Sequence, residues 1–121
     1  GAFTPIQVAA ATALNSSQEH VNDIRKVYEN RRDVLVESMK RVGWNIPSPE
    51  ATMFAWAPIP KKYLSKGSIY FSKVLLKKAS LAVSPGIGFG SYGDRHVRIS
   101  LVENEQRIRQ AARNIKNNLS F

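Results

Sequence analysis

The sequence predicts a mixed α/β (α+β) fold, a two-layer sandwich in which a short, mostly antiparallel sheet is covered by helices. A long helix leads into it. Three observations carry this prediction. Apolar residues recur at three- and four-residue steps over 18–42, in the order Val21, Ile24, Val27, Tyr28, Leu35, Met39 and Val42, which is a helical period. The stretches 51–57, 81–83 and 96–102 are short and apolar or alternating, as strands are. The stretches 69–79 and 104–119 return to helical spacing. Two or three strands grouped into one sheet and covered by helices form two layers.

The elements follow in order. Residues 5–14 read as a helix with Pro5 in its first turn and Thr4 as its N-cap. Only Gln7 and Thr12 are polar there, so this helix belongs inside a larger body and its neighbours are expected to lie outside this chain. Asn15-Ser16-Ser17 interrupts the pattern. The helix over 18–42 spans roughly 37 Å, suits a bridge between two bodies, and stops at Gly43. Pro47-Ser48-Pro49 forces extended chain. In the strand 51–57, Phe54 and Trp56 share a face. Ser68 is placed as the cap of helix 69–79, with Ile69, Phe71, Val74, Leu75 and Ala79 inward. Asn104 is placed as the cap of the last helix, with Ile108, Ala111, Ile115 and Leu119 as its stripe.

The bulk properties bound the rest. The 121 residues make about one domain, with 43% apolar and 22% charged residues. With no cysteine there is no disulfide framework, thiolate metal site or thiol nucleophile, and a cytoplasmic location is expected. No apolar run reaches the roughly 20 residues of a membrane span, and no secretory signal opens the sequence. The net charge of +9 fits either a solvated surface or an acidic partner. Its Lys and Arg residues are scattered from Arg25 to Lys116, with no basic run longer than two, which argues against nucleic acid. A basic α/β module for nucleic acid or an acidic partner is the alternative reading of function. His20 and His96 have no metal-ligand spacing and read as surface or loop histidines. Trp44 and Trp56 read as core or packing residues, and Arg31-Arg32-Asp33 as an ion-pair cluster.

Gly88-Phe89-Gly90-Ser91-Tyr92-Gly93 matches G-x-G-x-x-G. A dinucleotide fingerprint requires a helix after the last glycine, because the pyrophosphate sits on the helix N-terminus. Here Val97, Ile99 and Leu101 alternate as a strand, so the glycines read as a turn. The turn delivers Arg98. If Val97 and Ile99 face the core, Arg98 faces away from it, beside His96 and Ser100. A guanidinium fork on a rigid strand is a good mount for a carboxylate, which it meets with two parallel hydrogen bonds.

Pro85-Gly86, Phe89-Gly90, Gly93 and Arg98-Ile99-Ser100 resemble the C-terminal signature of the pyridoxal-phosphate-dependent class I and II (fold type I) aminotransferases. Phe3-Thr4-Pro5-Ile6-Gln7, Tyr28-Glu29-Asn30-Arg31-Arg32-Asp33, Pro49 to Trp56 and Glu103 to Ala111 fit the same family in the same order. The resemblance covers essentially the whole chain and leans toward the alanine, aspartate and diaminopimelate aminotransferases. It implies that Arg98 clamps the α-carboxylate of an amino or 2-oxo acid. It implies that Phe3 and Thr4 reach toward the partner subunit's active site in a homodimer. It further implies three parts: residues 1–17 end a large cofactor-binding domain, 18–43 link the domains, and 44–121 form the small domain. Ala51-Thr52 departs from the family, where many relatives carry glycine near the substrate.

The family also needs a lysine that holds pyridoxal 5'-phosphate as a Schiff base and carries a proton. Ser65-Lys66 and Ser72-Lys73 lack the Gly and Arg that should follow it. The expectation is therefore that this chain holds no Schiff-base lysine, binds no cofactor by itself and is inactive alone, as the C-terminal part of an enzyme that moves amino groups between amino acids and 2-oxo acids.

Overall fold

The computed structural model describes residues 1–121. Five helices and three strands follow one another as α1 (Thr4–Asn15), α2 (Glu19–Arg41), β1 (Phe54–Pro58), α3 (Lys61–Leu64), α4 (Gly67–Ala79), β2 (Ser84–Pro85), β3 (His96–Ser100) and α5 (Glu105–Asn118). Two 3₁₀ turns, Gly86–Phe89 and Ser91–Arg95, join β2 to β3. The sheet order is β1-β3-β2 and both pairings are antiparallel. Helices α2, α4 and α5 cover one face, so the two-layer sandwich expected from the sequence is the fold observed.

The core follows from side-chain alternation. Ala55 and Ala57 of β1 and Val97 and Ile99 of β3 point to the helices and are buried. Against them pack Leu35 and Met39 of α2, Phe71, Leu75 and Ala79 of α4, and Ile108, Ala112 and Ile115 of α5. Trp44 is 2% exposed and donates its indole N–H to the Pro58 carbonyl at 2.8 Å. Trp44 meets Phe71 and Phe121 edge-on, at centroid distances of 5.4 and 5.5 Å. The opposite face of the sheet carries Phe54, Trp56, His96 and Arg98, none of them buried.

Helix ends obey local chemistry where the sequence supplies it. Asn104 caps α5, its Oδ1 accepting the Arg107 N–H at 3.0 Å. Gly43 follows α2 at φ +86, the left-handed geometry that ends a helix. Thr4 is not a cap; α1 begins at Thr4, Phe3 holds the cap position, and no side chain bonds there. Ser68 likewise lies inside α4, which starts one residue earlier. Its side chain is fully buried, whereas Ile69, expected inward, is half exposed at 51%. Ser68, Phe71, Leu75 and Ala79 form the buried stripe at three- and four-residue steps, and Ile69 lies one residue off it.

The strands are shorter than their apolar runs. Thr52 has φ +74, so β1 starts only at Phe54. Its hydroxyl accepts the Phe54 N–H at 3.0 Å, which offsets part of the cost of a β-branched residue in that region. Leu81–Val83 form no strand, because Ser80 leaves α4 in left-handed geometry and the ladder with β3 is reached only at Ser84 and Pro85. Pro85 is tolerated because β2 lies on the sheet edge. Every residue of α1 is exposed, as are Val21, Ile24 and Val27 on the first half of α2. Helix α1 thus shows apolar side chains with nothing in this chain covering them.

Candidate functional site

The central strand places Arg98. In register, Arg98 stands opposite Trp56 of β1 and Ser84 of β2, on the sheet face away from the helices. Its guanidinium carbon lies 4.2 Å from the ring centroid of Phe54 and 4.5 Å from that of Phe89. Its Nε is buried and has no hydrogen-bond partner. The ion pairs of this structure all lie on α2, between Arg25 and Arg41, so no carboxylate neutralises Arg98. Arg98 is thus a cation held against two rings, with a buried N–H and a charge that no group of this chain satisfies.

The neighbours are aromatic. Trp56 stacks on His96 at 5.3 Å with 17° between the planes, and meets Phe89 edge-on at 5.7 Å. Trp56 is therefore a wall of this face, 39% exposed, not a core residue. His96 is half-buried in β3, not in a loop.

The glycine run positions this wall. Past Gly93 comes β3 and no helix, so there is no helix N-terminus for a pyrophosphate. The two 3₁₀ turns cross backbone to backbone instead. A Cβ on Gly86 would lie 2.0 Å from the Gly93 carbonyl oxygen and 2.4 Å from that of His96; one on Gly93 would lie 2.1 Å from the Gly86 oxygen. Only hydrogens fit at the crossing.

Asp94 and Ser68 fasten the crossing to α4. Oδ1 of Asp94 accepts the Ser68 N–H at 2.9 Å and the Ser68 hydroxyl at 2.8 Å. Ser68 Oγ accepts the Ile87 N–H at 3.1 Å, so the buried hydroxyl is satisfied on both sides. The carboxylate caps the first turn of α4 from 26 residues away in sequence. The backbone N–H of Ser68 first, and its hydroxyl second, hold the Asp94 carboxyl below its ordinary value of 3.8, against a smaller opposing effect of burial. A depressed carboxyl pKa contributes stability above the unfolded value and loses it as pH falls through the folded value. The stability gap between the wild-type chain and Asp94→Asn should thus be full at neutral pH and close below about pH 4, as read by urea unfolding from pH 7 to 2. A constant gap across that range would show that the ionised carboxylate is not what holds the loop.

The other candidates separate from this cluster. Phe3 and Thr4 are exposed at the start of α1 and are not gathered with Arg98. Arg32 pairs with Asp33 at 2.7 Å and Glu29 at 3.7 Å, but Arg31 leaves the expected ion-pair cluster. It crosses to the end of β3, donating to the Leu101 and Val102 carbonyls at 3.1 Å each. A cleft of about 440 Å³ between α2 and residues 49–53 is lined by Arg25, Arg32, Glu29 and Glu50 but does not include Arg98. Lys66 lies over the Tyr70 ring at 4.6 Å, and Lys73 is an exposed residue of α4.

The family model for aminotransferase class I and II matches residues 2–115. The chain belongs to that aminotransferase family. It is 60% identical over 99% of its length to AatC of Rhizobium meliloti, named as an aminotransferase, and 54% identical over 96% to the glutamate-pyruvate aminotransferase AlaC of Escherichia coli. A substrate-bound BacF structure from Bacillus subtilis superposes with TM-score 0.87 at 37% identity, covering all of this chain and 31% of that one. The chain spans about 30% of the length of these relatives.

Proposed function

We propose that this chain is the substrate-gripping part of a pyridoxal-phosphate-dependent aminotransferase, which moves an amino group between an amino acid and a 2-oxo acid. Arg98 holds the α-carboxylate. The observation that carries the assignment is the unpaired guanidinium against Phe54 and Phe89, with its buried Nε orphaned and no acid of the chain beside it. The carboxylate common to amino and 2-oxo acids supplies the charge and the acceptors such a group lacks.

Pyridoxal phosphate, when bound to the whole enzyme, supplies the electron sink for the amino transfer. The residues of this chain bind and orient. Arg98 fixes the carboxylate end, bordered by the Phe54 and Phe89 rings on which its guanidinium lies. With no lysine suited to carrying the proton, residues 1–121 alone are inactive on this reading.

The same reading divides the chain into 1–17 at the edge of a large domain, 18–43 as the linking helix and 44–121 as the small domain. It also makes the parent a cytoplasmic homodimer in which Phe3 and Thr4 approach the partner's site. The bare apolar side chains Ile6, Val8, Leu14, Val21 and Ile24 support a covering body against α1 and the first half of α2.

The test is amino-group transfer by the full-length protein with added pyridoxal phosphate. Glutamate with pyruvate is the first pair to try, since the Escherichia coli relative is named for it. Formation of alanine and 2-oxoglutarate supports the proposal; no transfer with any of the common amino acids as donors rejects it.

A further inference from the structure

We infer that Phe89 is a positioning residue: its ring, packed on the Arg98 guanidinium, sets the plane in which that group meets the substrate carboxylate. The inference rests on the reading of Arg98 just proposed. A guanidinium can use its two-pronged geometry only if its plane is fixed before the carboxylate arrives. Fixing normally falls to an acidic partner or to hydrogen bonds. Arg98 has neither; its ordering contacts are the rings of Phe54 at 4.2 Å and Phe89 at 4.5 Å.

The two rings differ in mounting. Phe54 belongs to β1 and is placed by the sheet. Phe89 ends the first 3₁₀ turn and is 53% exposed, so the fold gains little from it. Yet its turn is closed by the Gly90 N–H on the Ile87 carbonyl at 3.1 Å and is fastened at its start. Gly86 crosses Gly93 with no room for a side chain, and the Ile87 N–H is held by Ser68, itself bound to Asp94. The edge-on contact with Trp56 at 5.7 Å fixes the ring from a third direction. A rigid mount under an exposed ring that touches the one unpaired cation of the sheet is the arrangement expected of a support for Arg98.

The experiment uses the full-length enzyme and the variants Phe89→Leu, Phe89→Tyr and Arg98→Ala, together with the Phe89→Leu/Arg98→Ala pair. Leucine keeps apolar bulk and removes the π face. It should raise KM for amino acid and 2-oxo acid together by about three- to fivefold, the worth of a cation–π contact to an exposed ring, with kcat nearly unchanged. The inhibition constant of propionate, an unreactive carboxylate, should rise by the same factor. Tyrosine, which restores the ring, should restore both constants. In the Arg98→Ala background, Phe89→Leu should change nothing further, because the ring acts only through the arginine. An unchanged KM in Phe89→Leu overturns the inference, as does failure of tyrosine to restore it. A full Phe89→Leu effect in the absence of Arg98 also overturns it, since the ring would then touch substrate itself. If Arg98→Ala leaves KM untouched, the reading of Arg98 falls first, an outcome distinct from the other three.

Discussion

Gly86→Ala should destabilise the chain by about 3 kcal/mol, at the top of the range for overpacked sites. The new methyl carbon would sit 2.0 Å from one carbonyl oxygen and 2.4 Å from another, and both are backbone. A clash with a flexible side chain can relax by rotation; a clash with two backbone carbonyls moves the turn. Moving it also strains the Ile87–Ser68–Asp94 hydrogen bonds that tie the turn to α4. The expected reading is a lower urea midpoint at unchanged slope and a Tm lower by roughly 10 °C. Gly88→Ala is the control. Nothing lies within 4 Å of a Cβ there and its φ is not positive, so its effect should stay within about 0.5 kcal/mol. Equal effects at the two positions would mean that the turn is held by general flexibility and not by the crossing.

Arg98→Ala should cost the full-length enzyme about 100- to 1000-fold in kcat/KM, the worth of two hydrogen bonds to a charged group. The loss should fall on amino acid and 2-oxo acid alike, since both present the carboxylate. Arg98→Lys keeps the charge but not the fork, and should recover part of the loss, to within about tenfold of wild type. Stability should respond differently. The wild-type guanidinium has an orphaned, buried Nε and no acid beside it, so its removal relieves a desolvated donor while forfeiting the ring contacts. A large loss of activity with little change in Tm is the pattern of a residue kept for binding. A parallel loss of both would make Arg98 a structural residue.

Local chemistry was legible in the sequence and long-range chemistry was not. Alternation around Arg98 placed it on the solvent side of β3, and the strand after Gly93 excluded a dinucleotide loop; both depend on neighbours within a few residues. Asn104 and Gly43 announced helix ends by their own side-chain and backbone preferences. Ser68 misled, because serine near a helix start ordinarily caps it. Here the cap comes from Asp94, 26 residues on, and no local pattern signals that. The glycines were visible, but their reason was not. Two of them meet each other across a crossing, and a sequence records only that a side chain is missing. The aromatic support of Arg98 has the same character. Phe54 stands opposite Ser100, one diagonal step from Arg98, and Phe89 arrives from the turn; neither position is known until strand register and turn path are known. Thr52 is intermediate. Ala51-Thr52 was noticed as a departure from the family, but the φ of +74 at Thr52 shows only in the folded backbone.

The central claim is that Arg98 reads the substrate's α-carboxylate. It is tested most directly by comparing an amino acid with the matching amine that lacks the carboxyl group, in wild-type and Arg98→Ala enzyme. The wild type should prefer the amino acid strongly in kcat/KM, and the variant should lose most of that preference, because alanine at 98 cannot tell the two apart. A variant that keeps the wild-type preference ratio would place carboxylate recognition elsewhere and contradict the account.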